Sequence, residues 1–176
     1  MNEMNLNQAV RGNKFSGKGC YNLFVEGIKV DFARAIWDKL VVPNHRFIFW
    51  QIANSQLLTQ DYLQRIMAIP SHLCPVTVAI NTWLGDFHWP RSTAELLYNC
   101  CNMDTGLVFR IWNAVLAATL YFLWKNRNTC IYELCCATPS SLSLEIRKIV
   151  QLRILSKGPF KDCKRNKYVI NVIKNW

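Results

Sequence analysis

The chain has 176 residues, 51% of them hydrophobic and 12% aromatic, with a formal net charge of +10. That length suits one domain, or one domain with a tail, and the apolar content excludes a disordered chain, which needs few apolar residues. The charge is lopsided: residues 1–145 carry 12 Lys/Arg against 10 Asp/Glu, whereas residues 146–176 carry 9 against a single acid, Asp162.

Residues 1–20 are rich in Asn, Gly and Lys and read as a flexible lead-in. Gly12, Gly17 and Lys18 match G-x-x-x-x-G-K, but position 19 is Gly. A phosphate-binding loop needs a Ser/Thr hydroxyl there and a preceding strand, so no nucleotide site is read here. A short strand or turn through Leu23–Val25 is allowed by the pattern. Phe32, Ala33, Ile36, Trp37 and Leu40 then recur at helical spacing and predict a helix over 31–39. Pro43 restarts the chain, and the segment 46–53 is apolar nearly all round, the mark of a helix buried on most sides. Trp37, Phe47, Phe49 and Trp50 are the expected core.

Thr59 is a good N-cap for an amphipathic helix ending before Pro70, with Asp61 in its first turn. Val76–Leu84 forms the next helix, closed by Gly85. Ser92 and Glu95 make a capping box for a helix to about Cys100. Asp104 or Thr105 is expected to cap the longest helix, which emerges into water at Lys125 and Arg127. Thr138-Pro139-Ser140-Ser141 reads as a break, followed by an amphipathic helix from Leu142 to Arg153 that Lys157-Gly158-Pro159 ends. Residues 164–176 fit strand and helix equally well.

These elements predict a mainly α protein: a small irregular helical bundle with room for one short strand or hairpin, a flexible N-terminus and a basic C-terminal tail. The expected division is 1–20, 21–135 and 136–176. The most apolar run, Ile111 to Trp124, covers 14 residues, below the 18 or so that a membrane span needs, so a buried helix is expected. With no apolar leader in the first 20 residues, the chain is expected to be intracellular, in nucleus or cytoplasm, and not secreted. Its eight cysteines are then reduced thiols. Adjacent pairs such as Cys100-Cys101 and Cys135-Cys136 rarely bridge, which leaves packing as their main role.

Ile36-Trp37, Val42-Pro43, Phe47, Trp50, the helix start Leu58-Thr59-x-Asp61-x-Leu63, and Cys74 stand in the order found in one family. From Trp37 to Cys74 the sequence resembles the zinc-binding domain that follows the reverse transcriptase in plant LINE-type (non-LTR) retrotransposons. Trp83-Leu84-Gly85, Trp89-Pro90 and the run from Ala117 to Asn128 resemble the segment after that domain. The resemblance implies a C-x-x-C pair, then His and a final Cys, around one zinc. Cys74 would be the first ligand, but Thr77 stands three residues on, and neither His nor Cys occurs between Cys74 and Trp83. His72, Cys74, His88, Cys100 and Cys101 are the residues that could rebuild a site, without the usual ligand spacing. No bound cofactor is therefore expected.

No catalytic constellation is visible. Acids are scattered singly, and neither G-x-S-x-G nor H-E-x-x-H occurs. His45 reads as a helix-start residue. The expected function is a non-catalytic remnant of a retrotransposon polyprotein with at most weak, non-specific nucleic-acid binding. One alternative is a working accessory domain that binds RNA or DNA through Arg147, Lys148, Arg153, Lys157, Lys161, Lys164, Arg165 and Lys167, with Tyr168 or Trp176 stacking on bases. The other is a protein-interaction bundle anchored by exposed tryptophans. The ordinary counter-reading of the basic run is a solvated tail.

Overall fold

The longest apolar run in the sequence becomes the helix around which the others assemble. The computed structural model describes residues 10–11, 14–15, 31–57, 74–102 and 104–176. It divides into two units, Met1–Val30 and Asp31–Trp176. In the first, β1 (Val10–Arg11) pairs antiparallel with β2 (Lys14–Phe15), with Val10 opposite Phe15. This hairpin lies in the stretch expected to be a lead-in. The strand suggested at Leu23–Val25 and the helix suggested after Thr59, with Leu58, Asp61 and Leu63, fall outside the described residues.

The second unit is helical: α1 (Ala33–Ile36), α2 (Pro43–Ala53), α3 (Pro75–Leu84), α4 (Thr93–Cys101), α5 (Leu107–Tyr132), α6 (Pro139–Ser156) and α7 (Lys164–Lys174). The mainly α expectation holds. α5 is longer than the 14-residue run suggested, and by length and hydropathy alone it could cross a bilayer. However, 56% of its most apolar window is buried inside the unit, and α2 and α6 pack along it. That is how the central helix of a bundle behaves.

α5 divides the core in two. On one side Ile36, Val41, Ile48, Phe49, Ile52 and Leu96 close on Leu116 and Ala117, which joins α1, α2 and α4 to α5. On the other, Ile80, Ile146, Val150, Ile154 and Ile173 close on Ile111, Val115 and Phe122, which joins α3, α6 and α7. Burying side chains of this size contributes about 1.5–3 kcal/mol each. Ala114, Ala117 and Ala118 let neighbouring helices approach α5 closely.

Several local expectations are corrected. α1 spans four residues, because Asp38 ends it by accepting a hydrogen bond from the Leu40 N–H at 2.8 Å. α2 is one-sided: Ile48, Phe49 and Ile52 are buried, but Phe47 is 56% exposed and Trp37 54% exposed. Neither Trp37 nor Phe47 is a core residue, and Pro43 is exposed too; Trp50 packs partly against the first core. Gly106, not Asp104 or Thr105, is the N-cap of α5; Asp104 accepts from the Gly106 N–H instead. Thr138 does not break the chain. It caps α6 by accepting from the Ser141 N–H, with Pro139 at the first helical position, where its missing N–H costs nothing.

Two local signals were read correctly. Gly85, at φ 85°, closes α3 in a conformation that glycine adopts freely. The Ser92 hydroxyl accepts from the Glu95 N–H at 3.1 Å.

The last helix settles the strand-or-helix ambiguity at 164–176 in favour of helix. It is held by the Gln151 amide, which donates to the carbonyls of Ile173 and Trp176. α6 and α7 lie in the same compact unit as α1 to α5.

The cysteine reading also changes. Cys130 and Cys136 are disulfide-bonded across the end of α5, against the expectation of reduced thiols. Cys100 is buried and Cys74 partly so, in keeping with a packing role, whereas Cys101, Cys135 and Cys163 are exposed.

Candidate nucleic-acid interface

The eight basic residues singled out in the sequence separate into two groups. Arg147 and Arg153 are structural. The Arg153 guanidinium donates to the Val41 carbonyl at 3.2 Å, and Arg147 donates to the Asn175 carbonyl at 3.3 Å. Arg147 also lies over the Trp83 ring, 6.0 Å from its centroid. Partial burial, and then the charge of Arg46, lower the pKa of Arg153. Neither side chain is set out toward a ligand.

The other group is available. Lys148, Lys161, Lys164, Arg165 and Lys167 are exposed, and Lys157 is half-buried. Lys167 pairs with Asp162 at 2.8 Å, with both side chains largely in water; such exposed pairs hold loosely. Lys164, Arg165 and Lys167 occupy the first turn of α7, which contains no acid. Cations there are disfavoured by the helix dipole. The same turn offers unpaired backbone N–H groups, so an arriving phosphate would meet both side-chain charge and helix dipole.

Beside this turn lies an aromatic pocket lined in part by Trp83, Trp112, Tyr168 and Trp176. Tyr168 stands 73% exposed at its edge. Trp176 is packed edge-on against Trp83, with ring centroids 4.8 Å apart. Of the two stacking candidates in the sequence, Tyr168 is the freer.

A second polar cluster holds the loop 37–42 in place. Arg110 grips Asp38 through two bonds of 2.7 and 3.0 Å. Arg46 donates to the carbonyls of Asp38 and Val41, and Asn113 to that of Ala35. Burial pushes the Asp38 carboxyl up, but Arg110, the Leu40 N–H and Arg46 outweigh it and hold the pKa below its ordinary value.

His45 belongs to this neighbourhood and was missed as a core residue. It is 2% exposed, stacked on Tyr121 at 4.4 Å, and its Nδ1 has no hydrogen-bond partner among the described residues. Burial, and then the charge of Arg153, push its pKa down to about 4. The ring is therefore neutral at physiological pH and serves as a packing group.

The zinc expectation can be tested against the donors present. Cys74 is the N-cap of α3, and its carbonyl accepts from the Thr77 hydroxyl at 2.7 Å. Thr77, three residues on, thus closes a helix start. His88 bonds Glu95 at 2.7 Å, and Cys100 lies buried, its pKa pushed up to about 12 by burial and then by Cys101. Among the described residues, no three His, Cys, Asp or Glu side chains stand close enough together to hold a metal. Cys74, His88, Cys100 and Cys101 do not fit a tetrahedral zinc, and His72 lies outside the described residues.

Residues 15–80 match the family described as zinc-binding in reverse transcriptase, and over that segment the match supports a reverse transcriptase zinc-binding domain. The matched range contains the landmarks from Ile36 to Cys74. No curated protein and no solved structure matches the chain.

Proposed function

With residues 15–80 of the reverse transcriptase zinc-binding type, we propose that the protein is a non-catalytic module derived from a retrotransposon polyprotein. In this reading it binds nucleic acid weakly and without sequence preference, through the exposed basic residues that precede and begin α7. The observation that carries this reading is the acid-free, cation-rich first turn of α7. It offers phosphate contacts but no carboxylate to act as a general base or metal ligand. The titratable groups with strongly shifted pKa, His45 and Cys100, are both buried in packing positions, so neither is offered as an acid, base or nucleophile.

The test is a binding titration of the full chain against a labelled nucleic acid at two salt concentrations. Three or four phosphate contacts give a log–log salt slope of about −2 to −3 for a single strand and about −3 to −4 for duplex DNA. A triple variant, Lys161→Glu, Lys164→Glu and Arg165→Glu, should abolish binding. Absence of binding at low salt in the unaltered chain would remove the reading. Point charge reversals are used because Ile146, Val150, Ile154 and Ile173 build the core, so the basic segment cannot be removed whole.

A second reading, a protein-interaction module, is favoured by the exposure of Trp37 and Phe47 within the matched segment. Large exposed aromatics are common anchors of protein interfaces. Partner binding of that kind would survive the triple charge reversal.

A further inference from the structure

We propose that the aromatic pocket beside α7 takes one unpaired nucleobase, so that the chain prefers single-stranded nucleic acid to duplex. This deepens the nucleic-acid reading above and rests on it. The pocket has a volume of about 190 Å³ and lies where the end of α3, the first turns of α5 and one face of α7 meet. Its walls include Trp83, Trp112, Tyr168, Val172, Ile173 and Trp176, and no charged side chain lines it. That is a surface for a flat, weakly polar ring.

The far wall is braced before any ligand arrives. Trp83 donates its indole N–H to the Ser143 hydroxyl at 2.9 Å and holds Trp176 edge-on. Gln151 and Arg147 fix the carbonyls at the end of α7. A ring entering the pocket therefore meets ordered indoles and loses little to rearrangement.

Charge complementarity identifies the occupant. Arg165, Tyr168 and Val172 stand at i, i+3 and i+7 on α7 and so share one stripe of that helix. Lys164 precedes Tyr168 by four residues on an adjoining line. A strand whose phosphates rest on Lys161, Lys164 and Arg165 is thus led toward the mouth of the pocket, where one base can turn in against Tyr168. Base–aromatic stacking tolerates any sequence, because every base presents a π-face. In a duplex the bases are stacked and paired, so only the phosphate contacts remain. An uncharged apolar ligand would leave the adjacent basic turn without a role.

The test compares a labelled oligothymidylate with a duplex of equal length, at low salt, on the full chain and two variants. Tyr168→Ala removes an exposed side chain, and Val172→Trp fills the pocket from a partly exposed position; circular dichroism checks that both keep their helix content. Each variant is expected to bind the single strand about tenfold more weakly and to bind duplex as before. Tryptophan fluorescence should quench on adding the single strand to the unaltered chain and change little in Val172→Trp. Wild-type single-strand affinity in both variants, with duplex binding intact, would overturn the pocket alone. So would equal losses for strand and duplex. Failure of the unaltered chain to bind either nucleic acid would overturn both the pocket and the reading beneath it.

Discussion

The two halves of the helical unit lean on α5 in the same way but differ in what they carry. The side formed with α1, α2 and α4 includes most of the family landmarks that the structure describes, and its cluster is locked by Asp38, Arg46, Arg110 and Asn113. The side formed with α3, α6 and α7 lies largely beyond the match, and it holds the exposed cations and the aromatic pocket. Likeness to a zinc-binding family and the exposed basic residues are therefore on different sides of one helix. Both sides are built by apolar packing on the same helix, so the proposed reading needs no metal to join them.

Cutting into one core shows whether the other survives without it. Phe49 is fully buried on the α2 side. Phe49→Ala should cost about 3–5 kcal/mol, read as a lowered midpoint in denaturant. Because both clusters share α5, the whole unit should unfold in one transition. Two separated transitions would show that the halves are independent.

Acid offers a second, slightly smaller effect confined to His45. Its folded pKa is depressed to about 4 from 6.5, so protonation favours the unfolded chain. The penalty is absent above the unfolded value, grows as pH falls from about 6.5, and is complete near pH 4. Its full size is about 3 kcal/mol. His45→Phe should flatten this part of the stability–pH curve, whereas an unchanged curve would place the ring in water. Asp38 runs in the same direction lower down: its depressed pKa gives stability above the usual carboxylate range that is lost as pH falls through it.

Arg110→Ala comes next. It leaves the Asp38 carboxylate, largely removed from water, without its bidentate partner, at an expected cost of about 2–3 kcal/mol. The loss should be measurable in the thermal midpoint and should shrink when Asp38→Asn is combined with it. The smallest effect is chemical: the native protein should leave Cys100 unalkylated by an exposed-thiol reagent while Cys101 and Cys163 react, as their burial dictates.

What could be read from the sequence depended on how local the signal was. Gly85 and the Ser92–Glu95 pair mark helix ends through their own backbone neighbours, and both were legible. Even there, Glu95 reaches the Arg91 N–H at 2.7 Å and not that of Ser92, a choice the motif does not specify. Trp37 and Phe47 were misassigned to the core because aromatic content says nothing about which side of a short helix meets α5. Thr138-Pro139 reads as a break because proline ends helices from within, although it is welcome at a first helical position.

The basic segment shows the same limit at the level of function. A charge count cannot distinguish Arg153, spent on the Val41 carbonyl across the fold, from Lys164, which stands in water. The pocket was illegible for a related reason. Trp83 comes from α3, Trp112 from α5 and Trp176 from just past the end of α7, and only their packing puts them together.

Under the proposed reading, packing and not metal holds the helical unit. Thermal unfolding of the full chain followed by circular dichroism, with and without a strong chelator and with zinc quantified in the same sample, decides between the two. The expected result is one cooperative melt with the same midpoint in both conditions and no stoichiometric zinc. A chelator-induced collapse of that midpoint, with one zinc released per chain, would contradict it.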